Sequence, residues 1–585
     1  MADHRLHLRS DRRRDRRRAP GHLTRPLRVW CVLGAVLGSV ILGGVFLVPR
    51  PTLAGKTKSE ALDGVQRLLA EWRVEEAAAQ LATLTAGGKR DPEVDLVRGE
   101  LLFHQGDYEG ADKLLRSAAS TLHLSPADAA GVRGLADLAT ATAEVTRGFG
   151  EQRSAGGHFL IRYRRGRDEV LVPYAAEALE KAWAALGEDF ADIADAAHLA
   201  KPTVPVRVEI YEDIVDLSRV STLTIKEIET SGTIALCKWN RLMIVSPRAL
   251  VRGYPWIDTL THEYTHFIIS RVSRNTVPIW LHEGLAKFEE RRWRGPSGGG
   301  LPPQMESLLA GGLAKGRLIT FAQMSPSMAK LPSQEDTALA FAEVYTAVEY
   351  IHSKLGWPGL RRILHDLSLG RSDADAVAGA FGGSFAQFER SWKSWLRSRK
   401  LRSKGTLYAS RLHFKKGRPA TGKSGSDRGA AQPSSEDDDS GEIQDPKARG
   451  FIRLAGLLRA RGRYPAAAVE YEKAQTLLGG SHPLVALKLG RTYLTLDDPD
   501  RAIASLEPAR ELYADLPGIN AAMGSAWLKK GDARKAIPFL EAAIATNPFD
   551  PSTHCGLQRA YEQIAQGTPQ RDRAAWACRL LGGKG

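Results

Sequence analysis

The sequence predicts an α+β chain, a small mixed sheet followed by helices, flanked by all-α helical repeats and preceded by one transmembrane helix. Three observations carry this. A short stretch alternates in the manner of strands near residues 158–245, a 34-residue period recurs near the C-terminus, and an uncharged apolar run follows a basic N-terminal arm. Hydrophobic residues make up 43% and charged residues 25%, so most of the 585 residues can fold.

The opening comes first. Residues 1–28 hold ten arginines against three aspartates, and this arm supplies much of the formal charge of +15. Residues 29–49 follow without a charge. Twenty apolar residues at helical rise cross a bilayer, and arginines before them favour the cytoplasmic side. The reading is a basic cytoplasmic arm (1–28) and an anchor (29–49), with the rest on the extracytoplasmic, periplasmic side of the cell membrane. A cleaved signal peptide ending near Thr52-Leu53-Ala54 is the rival. The arm is read as topogenic and no nucleic-acid partner is expected. Only four cysteines occur, too few for a disulfide framework. Cys555 and Cys578 read equally as a pair or as two buried thiols.

Repeats frame the middle. Gly456, Gly490 and Gly524 stand 34 residues apart, as do Ala468, Ala502 and Ala536, and Tyr493 and Trp527 share the spacing. Small residues suit a close crossing of two helices, with an aromatic beside it. Residues 448–585 therefore resemble a tetratricopeptide repeat array, although Arg459 stands where the aromatic is expected. Gly99, Ala111 and Ala118 repeat the offsets of Gly524, Ala536 and Ala543, which predicts a degenerate helical domain over 57–147. Gly, Ser, Pro and charge dominate 422–446, so 401–447 reads as a linker.

Residues 155–400 remain. His158–Arg164 and Pro205–Tyr211 alternate as strands, and Thr233–Val245 reads as a hairpin turning at Trp239-Asn240; helices follow. Within them lies His262-Glu263-Tyr264-Thr265-His266. Histidines four apart share one helical face and can grip one metal ion, with Glu263 beside them as a base. After sixteen intervening residues comes Glu283, in Trp280-Leu281-His282-Glu283-Gly284-Leu285-Ala286.

An HExxH followed by W-L-x-E-G-L-A resembles the gluzincin metallopeptidases, and more closely the peptidase-MA-like domains. The resemblance implies a zincin-like fold, one Zn2+ held by His262, His266 and Glu283, and hydrolysis of a peptide bond by water that Glu263 deprotonates. His282 competes with Glu283 as a ligand. The gap to the third ligand is somewhat shorter than in thermolysin-like enzymes, so specificity is not carried over. Tyr345 is the candidate oxyanion donor, with His352 second, and the Gly-Pro stretch 295–303 reads as an active-site flap or a plain loop. Cys237 lacks an evident histidine partner. Expected partners are a protein or peptide substrate, proteins bound by the repeats, and the membrane through one N-terminal helix. The alternative is an envelope scaffold whose peptidase-like domain is inactive.

Overall fold

The computed structural model describes residues 56–85, 91–191, 193, 200–202, 204–402, 412–415, 443–565 and 569–583. It is a helix-rich mixed chain with one five-stranded sheet and helical repeats on either side in sequence.

The N-terminal repeats comprise helices Lys56–Ala70, Val74–Thr85, Pro92–Gln105, Tyr108–Thr121 and Pro126–Thr146. The C-terminal array begins at helix Pro446–Ala460 and closes with the pair Pro551–Gln563 and Pro569–Leu580. The periodic glycines have a common cause. A Cβ on Gly99 would lie 2.8 Å from Leu115, on Gly490 2.7 Å from Leu506, and on Gly524 2.6 Å from Leu540. In each hairpin the second helix pushes a leucine, sixteen residues on, into the space a side chain would take. Gly456 keeps the period but not the contact: open space surrounds it, and Glu472 stands where the leucine would be. The last two helices are joined by a Cys555–Cys578 disulfide, which settles the two readings of those cysteines.

The sheet consists of β1 (Phe149–Arg153), β2 (Phe159–Arg164), β3 (Val206–Tyr211), β4 (Ala235–Lys238) and β5 (Arg241–Val245), in the order β1-β2-β3-β5-β4. The β2–β3 and β3–β5 pairs are parallel; the outer pairs are antiparallel. Trp239 and Asn240 both have positive φ, 53° and 58°, as a two-residue hairpin turn requires. β1 is an addition to the sequence reading.

β3 is buried throughout, and its alternation sorts two different environments. Val206, Val208 and Ile210 take one face. On the other, Glu209 accepts from Tyr108 Oη at 2.6 Å and from the guanidiniums of Arg162 (2.9 Å) and Arg241 (2.8 Å). Tyr108 opens its repeat helix, so this ionic cluster ties the N-terminal repeats to the sheet. Burial alone would raise the Glu209 carboxyl. The charges of Arg241, Arg162 and Arg207 outweigh it and lower the pKa to about 2.

The single-pass membrane localisation expected from the sequence is corrected here. Among the described residues no helix is long and apolar enough to cross a membrane. The arm 1–28 and the run 29–49 lie outside the described residues, as does most of 401–447, although Phe414 bridges to Leu250.

Candidate metal centre

Two consecutive helices build the site. The first, Trp256–Val272, is buried along almost its whole length and packs against β4, β5 and helix Val172–Asp189. Its N-terminus is anchored by the C-terminal array: Trp256 Nε1 donates to the Ile544 carbonyl at 3.1 Å, and Tyr254 N–H to the Thr546 carbonyl at 3.1 Å. The second helix, Ile279–Glu289, begins after Pro278, whose fixed φ of −66° suits a helix start. It crosses the long helix Gln334–Ser368 at Gly284.

These helices bring His262, His266 and Glu283 together. The two Nε2 atoms are 3.0 Å apart. Glu283 Oε2 lies 3.4 Å from the first and 3.5 Å from the second. All three side chains are buried. Two ligand atoms on a zinc of tetrahedral geometry, with bonds of 2.0–2.1 Å, stand about 3.3 Å apart. The triangle found here has edges of that size, and its atoms are a mixed nitrogen–oxygen donor set. Glu283 Oε2 also has no hydrogen-bond partner despite its burial. The residues present therefore fit one such ion.

Glu263 is next to the triangle and only 3% exposed. It accepts a hydrogen bond from the backbone N–H of Cys237 in β4, while its Oε2 has no partner. The two carboxyls are pushed apart electrostatically. Burial raises Glu263 to about 8, with the Glu283 charge adding to it and His266 opposing. Burial also pushes Glu283 upward, but the charge on His266 overrides it and holds this carboxyl well below the usual range. Burial raises the Cys237 thiol well above its ordinary value, as the nearby Glu263 charge also does, so no thiolate nucleophile is available there.

His282 is not part of the triangle. Its ring stacks on His266, with centroids 4.5 Å apart and planes 11° apart, and its Nε2 lies 3.3 Å from Ser270 Oγ. Sequence reasoning weighed it only as a rival ligand and missed this bracing contact.

Tyr345, the residue expected as the oxyanion donor, has its hydroxyl on the glycine-rich loop that follows the second motif helix. Its hydroxyl donates to the Gly298 carbonyl at 2.6 Å and accepts from Gly300 N–H at 2.9 Å, which pins the glycine-rich strap. His352 packs between Phe288 and Trp357, at centroid distances of 5.2 and 5.9 Å.

The model of the Peptidase MA superfamily matches residues 190–398, and that of the tetratricopeptide repeat matches 62–129 and 487–551. No curated protein matches the chain. Among solved structures, MamA MSR-1 C2 is 18% identical with a TM-score of 0.21, covering 24% of this chain and 83% of its own. Another MamA crystal structure is 21% identical with a TM-score of 0.21, covering 23% and 78%. A thermophilic TPR protein of Thermus thermophilus is 22% identical with a TM-score of 0.20, covering 23% and 72%. The chain thus carries a Peptidase MA superfamily domain over residues 190–398, with tetratricopeptide repeats on both sides of it.

Proposed function

We propose that this protein is a zinc-dependent peptidase in which His262, His266 and Glu283 hold the ion and Glu263 is the general base. The observation that carries the reading is the triangle of two imidazole nitrogens and one carboxylate oxygen, buried and spaced as a single ion demands. A divalent ion so held supplies Lewis acidity, bringing the pKa of a water molecule toward about 7 and polarising a carbonyl oxygen.

The chain's own residues supply the rest. Glu263 Oε2, buried and without a partner, accepts the proton of the attacking water and returns it to the leaving amine nitrogen. The Cys237 N–H holds the other carboxylate oxygen in place. β4 ends the sheet, and that N–H is on its outer edge, so a polypeptide paired along β4 runs past Glu263. The helical repeats present surfaces for protein binding.

The test is a Glu263→Gln variant of the full chain, assayed on an unstructured protein such as casein. The proposal expects hydrolysis to fall by a factor of about 10² or more, with the zinc content unchanged. Unchanged hydrolysis removes Glu263 from the chemistry, and a wild-type chain that hydrolyses nothing leaves the scaffold reading.

A further inference from the structure

The helix that delivers Glu283 presents more than one charge to the motif helix. Glu283, Lys287 and Glu290 are spaced by four and three residues, so they share one face over two turns. Glu290 closes the helix with φ −55° and ψ −21°, still helical values, and so stays on that face.

The same face brackets His262. Glu283 Oε2 lies 3.4 Å from its Nε2, and Glu290 Oε2 lies 4.0 Å from its Nδ1. Lys287 Nζ donates to that Glu290 oxygen at 2.7 Å. Among the described residues, no carboxylate besides these two comes within ion-pair distance of either motif imidazole. The two histidines are supported differently. His266 Nδ1 is buried without a hydrogen-bond partner, and the ring is steadied by its stack on His282. His262 has no parallel stack among the described residues; it meets the Phe341 ring at a steep 66°, with centroids 6.2 Å apart. Its side chain is 11% exposed, against 1% for His266 and for Glu283, so it stands at the rim of the site. A rim imidazole without a stacking partner turns freely unless a polar group holds Nδ1.

We propose that Glu290 is the positioning residue for His262. Its carboxylate draws the imidazole proton to Nδ1, which leaves the Nε2 lone pair turned toward His266 and Glu283 for the ion. The present gap is longer than a hydrogen bond, and a shift of about 1 Å closes it to that length. Lys287 limits where the carboxylate can go, because its ammonium holds Glu290 Oε2 from the preceding turn of the same helix. Glu290 touches neither ion nor substrate in this role; it acts through His262. One helix face therefore supplies a ligand, Glu283, and the group that prepares another. The assignment rests on the metal reading above, although the place of the proton on the ring is set without metal.

The test uses the full chain and two readouts. Nuclear magnetic resonance of histidine nitrogens, isotopically labelled and assigned by the signal lost in His262→Asn, reads the tautomer of the neutral ring in the zinc-free chain. A competition titration reads zinc affinity. The wild-type chain is expected to carry the His262 proton on Nδ1. Glu290→Met is expected to mix the tautomers and weaken zinc binding about tenfold or more, with the melting temperature of the zinc-free chain unchanged. Glu290→Gln, which keeps an acceptor without the charge, retains the tautomer and recovers part of the affinity. A wild-type proton on Nε2 overturns the proposal, and so does wild-type affinity in Glu290→Met. Equal weakening by both variants with the tautomer unmoved assigns Glu290 to long-range charge alone. A lower melting temperature with the tautomer unmoved assigns it to the fold, and either result removes it as a positioning residue. The failures are distinguishable: a wild-type chain that binds no zinc ends the metal reading, whereas a zinc-binding chain indifferent to Glu290 ends this assignment alone.

Discussion

Gly284 meets the backbone of Val344 so closely that a Cβ built on it would lie 2.7 Å from the Val344 carbonyl oxygen. One turn further along the same helix, Val348 Cγ2 is equally near at 2.7 Å. The close crossing sets the position of helix Ile279–Glu289, and with it Glu283, one residue before. A carboxylate reaches a pair of imidazoles only if its helix sits at that depth.

Gly284→Ala therefore forces the two helices apart. Overpacking of this kind costs about 1–3 kcal/mol. The expected result is a lower melting temperature together with weaker zinc binding in a competition titration. Wild-type affinity and stability in this variant would show that the crossing has slack.

The Glu209 cluster makes stability depend on acid. Its folded pKa, about 2, is below the ordinary carboxyl value of 4.5. A depressed carboxyl stabilises the fold fully above the unfolded value and loses that contribution as pH falls toward 2. Denaturant midpoints should fall between about pH 5 and 2, and Glu209→Gln should flatten this part of the profile. At neutral pH the same variant leaves the Arg241 charge buried and short of its partner, at a cost of about 3–5 kcal/mol. The loss should be shared by the N-terminal repeats, through Tyr108, and appear as faster amide exchange in residues 108–121.

Tyr345→Phe separates a strap clamp from an oxyanion donor. Losing an oxyanion donor lowers kcat by about 10²–10³. Losing the clamp frees Gly298 and Gly300, raises amide exchange across 297–303, and lowers kcat by less than about tenfold. The hydrogen bonds of this hydroxyl predict the second outcome.

The repeats were legible because their packing demands it. A helix pair as close as Gly490 to Leu506 tolerates only glycine at the contact, and the demand recurs every 34 residues. Gly456 shows the limit, since it shares the spacing without the contact. The motif histidines and Glu283 were legible because helical spacing and a short return segment leave few ways to arrange them. β1 was not. Glu151, Gln152 and Arg153 are exposed on a sheet edge, so no alternation marks them. The strap's grip on Tyr345 is a hydrogen bond to loop backbone more than forty residues away, which leaves no trace in local pattern. The His282 stack is equally silent, because a histidine that braces His266 looks in sequence like a candidate ligand itself.

The most direct test of the central claim is the metal content of the purified full chain, by inductively coupled plasma mass spectrometry, beside that of His266→Ala. The account predicts one zinc per wild-type chain and far less than one in the variant, with both proteins folded by circular dichroism. A folded wild-type chain that takes up no stoichiometric divalent metal, even when zinc is supplied, would contradict it.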